Sequence, residues 1–255
     1  MQIMTPQHGC AWITGASSGI GAALAHELAA RGWTVAISAR RQSALDEIAA
    51  TDANIHANAC DVTDREAMCE TAAAIEAAHG PIALAVLNAG IYLPTNLPEF
   101  DVDRFDRSFE VNLGGVVNGL NALLPSMVTR KQGHISLVAS VTGYGGLGTS
   151  AAYGATKAAL LNMSESLAMD LQANGVHVSS IAPGFVRTPA TDSNEFPMPF
   201  IIEAEEAAKR IADGLAKNRT HIAFPKRFTF LLRLINLLPR SLYVKLVGKV
   251  TSPNR

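Results

Sequence analysis

Seven short apolar runs punctuate the chain, at 10–14, 34–39, 54–60, 82–87, 134–139, 177–182 and 221–224. Each has the length of a strand. Between most of them the apolar positions recur at helical spacing. Leu24 and Leu28 lead to Arg31 and then Gly32, which suits a helix end. The alanine-rich stretch 64–79 stops at Gly80-Pro81. Longer helical patterns cover 103–131 and 150–173, the second ending before Asn174-Gly175. Strand–helix alternation predicts parallel strands joined by crossovers, with helices on both faces of the sheet: an α/β fold. No repeat, linker or low-complexity tract interrupts 1–255, so one domain is expected.

The first run leads directly into TGASSGIGAALAHEL. Between strand and helix, Gly15 permits the tight turn, Gly19 lets backbone approach a pyrophosphate, and Gly21 lets the helix pack close to the sheet. Ser17, Ser18 and Ile20 complete the loop, and the helix start offers free N–H groups to phosphates. GxxxGxG differs from the general GxGxxG spacing, so the setting carries the dinucleotide reading more than the glycines do. After the second run, Ala39 is followed by Arg40 and Arg41, with no acid to accept a ribose 2′-hydroxyl. Guanidinium groups favour a 2′-phosphate. NADP(H) is therefore the expected cofactor, unless both arginines are only solvated surface charges. Arg40 is closer to the strand end, and the Ser17 hydroxyl can join it at the phosphate.

Tyr153 and Lys157 are four residues apart in YGATK and share a helix face. A free phenol titrates near pH 10. An ammonium about 4 Å away contributes up to about 4 kcal/mol at an effective dielectric of 20, enough to bring the phenol towards neutrality. Tyr144, in GYGGLG, has no such cation in its sequence neighbourhood. Ser140 ends the run HISLVAS, thirteen residues before Tyr153, where its hydroxyl can hold a substrate carbonyl against the phenol.

TGASSGIG, LNAG at 87–90, Asn112 in EVNLGG, Ser140, YGATK and APG at 182–184 occur in the order and spacing of the short-chain dehydrogenase/reductase family. The chain resembles that family over about residues 10 to 190. The resemblance implies a single Rossmann-type domain with a parallel seven-stranded sheet and NAD(P)-dependent alcohol–carbonyl interconversion. It implies that Tyr153 is the general acid/base, that Lys157 lowers its pKa and binds ribose, and that Ser140 orients substrate. Asn112 would hold a helix distortion and a proton-relay water. Asn88, Ala89 and Gly90 would line the adenosine side, with Asp61 and Val62 flanking adenine. Pro183, Gly184, Val186 and Thr188 would meet the nicotinamide end. Arg40, directly after the family's acid position, resembles the NADP-preferring branch. Leu87 stands where the family often has an asparagine.

Composition changes the picture in two places. With 255 residues, 48% of them apolar, and a net charge of −1, the chain can bury a large core. Cys10, Cys60 and Cys69 leave at least one thiol unpaired within the chain, and none forms CxxC, which points to a reduced, cytoplasmic protein. The start lacks the pattern of a signal peptide, and no apolar run reaches the length of a membrane span; FTFLLRLINLL comes closest and contains Arg233. His26, His56 and His134 are isolated, so no metal is expected.

The charge, however, is uneven. Residues 214–255 carry nine Lys or Arg and no acid. Within 226–255 two short amphipathic helices break at Pro239. This extension can pack on the body, cover a substrate mouth, form an oligomer contact or rest on an anionic membrane surface; nucleic acid is not an expected partner. Ile91, Tyr92, Tyr144, Leu147 and Phe185 are candidate substrate-pocket residues, and the segment with Phe196, Met198 and Phe200 is either an apolar lid or a surface loop packed on the core. The expected activity is NADPH-dependent reduction of a lipophilic ketone or aldehyde by a homo-oligomer, dimer or tetramer. The alternatives are a membrane-associated lipid or 3-oxoacyl reductase and a non-catalytic NADP(H) sensor.

Overall fold

A computed structural model describes residues 2–95, 100–189, 191 and 198–251. Seven strands form one parallel sheet: β1 (Cys10–Thr14), β2 (Val35–Ser38), β3 (Ile55–Ala57), β4 (Ile82–Leu87), β5 (Gly133–Val138), β6 (Val176–Pro183) and β7 (His221–Phe224). Each lies within one residue of its apolar run, except β3, which uses only the middle of 54–60. The central strands are buried along their whole length. This is the consequence of helices covering both faces.

Alternation along β1 divides the core. Ala11 and Ile13 pack with Leu24 and Leu28 of α1 (Gly19–Ala30) and with Ile211 of α7 (Ala204–Ala216). Cys10 and Trp12 face the other way, towards Met68 of α3 (Arg65–His79), Leu123 of α5 (Gly115–Arg130) and Leu160 of α6 (Ala151–Leu171). The α3 start is fixed by Asp64, whose carboxylate accepts from the Ala67 N–H at 3.0 Å. The helical pattern over 103–131 is three pieces: α4 (Val102–Phe109), a π-helical turn (Glu110–Gly114) and α5. Together, Val102–Arg130 is long and apolar enough to cross a membrane by length and composition, contrary to the sequence expectation. Half of its most apolar window is buried in the domain, as a core helix should be. α7 and α2 (Gln42–Ala49) have no counterpart among the predicted helices. The extension forms α8 (Lys226–Asn236) and α9 (Arg240–Thr251), separated at Pro239 as predicted.

The strand order is β3-β2-β1-β4-β5-β6-β7. The chain runs outward from β1 to β3 and returns to place β4 on the other side of β1. The crevice beyond the carboxyl ends of β1 and β4 is therefore the topological switch point, where α/β sheets bind ligands.

Candidate active site

The loops leaving β1 and β4 are joined at this switch point. Thr14 Oγ1 accepts from the Asn88 and Ala89 N–H groups at 3.1 and 3.2 Å, and Asn88 Nδ2 donates to the Thr14 and Gly15 carbonyls at 3.0 Å. Gly15 has φ +66°, and a Cβ there would lie 2.5 Å from Ala89 Cα, so only glycine permits this approach. Asn88 thus positions the loop as well as bordering the space above it.

That space is a continuous cavity of about 1130 Å³ running from the glycine loop to the C-terminal extension. Gly15, Ser17, Ser18, Gly19, Ile20 and Gly21 line one wall; Ser18 makes no side-chain cap on α1, leaving first-turn amides available to an anion. Arg40, Arg41, Asp61 and Val62 border the same end. Arg107 joins them from α4, a residue the sequence reading had not singled out. Burial would raise the Asp61 carboxyl, but hydrogen bonds from Thr63 and the charges of Arg40 and Arg107 hold it below the usual carboxylate range. Ala89, Gly90, Pro183, Gly184, Val186 and Thr188 also line the cavity, Thr188 next to Gly19 of the glycine loop. A Cβ on Gly90 would come within 3.2 Å of Asn112 Oδ1 and 3.4 Å of Lys157 Nζ, so glycine keeps this stretch clear. Free amides, cations and an unobstructed floor fit a nicotinamide dinucleotide.

Ser140, Tyr153 and Lys157 meet at the centre of the cavity. The Tyr153 ring meets Tyr92 edge-on at 5.2 Å, and Ser140 Oγ accepts from the Thr142 N–H at 3.2 Å. The protonation expected of the pair differs from the sequence reading. Burial pushes the Tyr153 phenol up to about 12, with neighbouring Ser140 opposing the shift and Tyr92 reinforcing it. Lys157 does not acidify it in this state. Its Nζ lies 5.5 Å from the ring centroid and donates to the Val138 carbonyl at 2.7 Å, while burial lowers the ammonium to about 8.

The lysine has a measurable signature in stability. Because its folded-state pKa is depressed, its contribution is fully present above pH 10.5 and is lost as pH falls through about 8. Wild type should gain about 2–3 kcal/mol relative to Lys157→Met between those limits. Urea titrations of both proteins across that range check this; parallel pH profiles would contradict the buried, strained ammonium.

Two predicted residues stand outside the cavity lining. Asn112 is buried in the π-helical turn, where Oδ1 accepts from the Ile91 N–H at 2.7 Å and Nδ2 donates to the Ile91 carbonyl at 3.0 Å. It fixes the strand-exit loop rather than touching the open space. Tyr144, a candidate substrate contact, is drawn away by partners distant in sequence. Its hydroxyl is 2.6 Å from His221 Nε2, Arg233 lies over its ring at 5.2 Å, and Asn236 Nδ2 donates to its carbonyl. The other candidates, Ile91, Tyr92, Leu147 and Phe185, do line the cavity. So do Phe228, Leu231, Leu232 and Ile235 of α8 and Leu246 of α9, residues whose helical spacing was visible but whose placement was not. The extension thus lines the far end. Of the proposed lid, Phe200 lies 5.9 Å from the Phe228 ring, while Phe196 falls outside the described residues.

His134 behaves structurally. His134 is buried within hydrogen-bond distance of Ser179 at 2.8 Å, and burial lowers it to about 3. All three cysteines are free thiols.

A model of the short chain dehydrogenase family matches residues 9–197. An uncharacterized oxidoreductase from Myxococcus xanthus is 38% identical over 237 residues, spanning 91% of this chain and 94% of its own. Human 17-beta-hydroxysteroid dehydrogenase 13 is 31% identical, over 89% of this chain and 78% of its own. Among solved structures, a short-chain dehydrogenase from Streptomyces avermitilis has a TM-score of 0.81 at 29% identity, covering 96% of this chain and 98% of that one. An actinorhodin polyketide ketoreductase variant with NADPH has a TM-score of 0.77 at 25% identity, covering 87% of this chain and 97% of that one. Fold, motif order and these matches agree: the chain is an oxidoreductase that belongs to the short-chain dehydrogenase family.

Proposed function

We propose that the protein is an NADPH-dependent reductase of lipophilic ketones or aldehydes. The observation that carries this reading is the character of this continuous cavity. Its glycine-loop end is bordered by Arg40, Arg41 and Arg107, its middle by Ser140, Tyr153 and Lys157, and its far end by apolar side chains of α8. A polyanionic cofactor and an apolar substrate are accommodated at opposite ends, with a proton donor between them.

When bound, the reduced nicotinamide supplies the hydride that reaches the carbonyl carbon. The protein's share is position and proton. Tyr153, protonated at neutral pH with a pKa of about 12, keeps its proton until a carbonyl oxygen becomes basic enough to take it. Ser140 lines the cavity with the phenol and can offer its hydroxyl to the same oxygen. Lys157 is the cation nearest the phenolate that forms, so its charge matters most once the proton has left. Asn112 keeps the Ile91 backbone, and with it the neighbouring Gly90, in place.

Relatives named for a hydroxysteroid and for a polyketide ketone favour a bulky, lipid-like carbonyl over a charged sugar. A membrane-associated lipid or 3-oxoacyl reductase is the narrower version of this reading, favoured by the extension. Screening ketones and aldehydes for NADPH consumption tests the proposal. Turnover should rise with substrate hydrophobicity; consumption with none of the panel would leave a cofactor-binding sensor.

A further inference from the structure

We propose that α8 and α9 dock on an anionic phospholipid surface and present the mouth of the cavity to it. A lipophilic carbonyl then reaches Tyr153 from the bilayer rather than from bulk water. The substrate route rests on the reductase reading; the docking itself does not.

Among the described residues, exposed large apolar side chains are concentrated on this segment, with eight of fifteen lying in α8, α9 or the turn between them. Phe230, Leu234 and Leu237 are 71%, 53% and 81% exposed and fall at i, i+4 and i+7, on one face. The opposite face of α8 supplies Phe228, Leu232 and Ile235 to the cavity. The helix is therefore apolar on two sides, and the domain covers only one. A patch of this kind marks an interaction surface.

Charge identifies the occupant. Lys226, Arg227, Arg233, Arg240, Lys245 and Lys249 flank the apolar residues, and the segment contains no acid. A second copy packed through the same face would bring six cations against six. An anionic bilayer neutralises them and takes up the apolar face, the combination by which interfacial helices bind. The position of the mouth gives this docking a purpose. Leu231, Leu246 and Val250 line the cavity while remaining 45%, 45% and 82% exposed, so they form an apolar rim on the same two helices. The rim is tied to the site: the Tyr243 hydroxyl donates to the Gly146 carbonyl at 3.0 Å, and the Gly148 N–H donates to Thr251 Oγ1 at 3.0 Å. Both glycines lie in the loop between Ser140 and Tyr153.

The test is sedimentation of the full chain with vesicles of phosphatidylcholine alone or mixed with phosphatidylglycerol. Pelleting is expected with the mixed vesicles only. Phe230→Glu with Leu234→Glu should abolish it. Lys226→Gln with Arg227→Gln should weaken it about 25-fold, at about fivefold per cation. None of these four residues borders the cavity, so NADPH consumption with a water-soluble ketone should stay unchanged in both variants. Absence of pelleting, pelleting unaffected by either variant, or a solution dimer dissolved by Phe230→Glu would overturn the inference. Pelleting without any reductase activity would uphold the docking and remove the reaction assigned to the site.

Discussion

Tyr153→Phe should lower kcat by about three orders of magnitude, within the range of about 10²–10⁴ that a positioned general acid supplies, while NADPH affinity stays nearly unchanged. The substitution removes the hydroxyl but keeps the ring, and the edge contact with Tyr92 at 5.2 Å does not depend on the hydroxyl. The cavity wall is preserved and only the proton is missing. Ser140 cannot replace it, because a serine hydroxyl holds its proton far more tightly than a phenol. Tyr144→Phe is the matched control. It loses the 2.6 Å contact with His221, worth about 1 kcal/mol of stability, yet changes nothing that borders the cavity. Steady-state kinetics with a cofactor-fluorescence titration separates the two. Equal losses of kcat would show that the phenol assignment is wrong.

Arg40→Asp should invert cofactor preference. Removing a charge-assisted hydrogen bond to a 2′-phosphate and placing a carboxylate beside it should reduce the NADPH-to-NADH ratio of kcat/KM by about 10²–10³-fold, from about 1.5–3 kcal/mol for the lost bond plus like-charge repulsion. Arg41 and Arg107 remain at the cavity edge, so NADPH binding weakens without vanishing. The Asp61 carboxyl, which Arg40 helps to hold down, should also rise. Parallel kinetics with both cofactors gives the ratio directly; no change in it would remove Arg40 from cofactor selection.

The sheet was legible because a parallel strand buried on both faces leaves a continuous apolar run, and 10–14 and 82–87 mark β1 and β4 to the residue. The glycine loop and the Tyr153–Lys157 pair were legible because their geometry is local, set by one turn or one helix face. What depended on distant contacts was not. Tyr144 looked free of cations because Arg233, its partner, lies 89 positions away. The buried setting of Lys157 depends on the Val138 carbonyl, 19 positions upstream, and with it the protonation of the whole centre. The amphipathic pattern of 226–251 announced helices, but two apolar faces in one helix do not reveal which of them meets the cavity. Helix α7 lay outside the predicted helices although its buried positions, Ala207, Ala208, Ile211, Ala212 and Leu215, recur at helical spacing.

The ties from Gly146 and Gly148 to Tyr243 and Thr251 have a consequence for biosynthesis. The glycine loop, the switch point and the trio Ser140, Tyr153 and Lys157 all come from the first 160 residues, which can assemble while the ribosome is still at work. The wall beside the trio cannot, because its fastenings are translated about a hundred positions later. Premature termination between β7 and α9 should therefore yield a product competent to hold nucleotide but with an unfinished chamber for the molecule to be reduced.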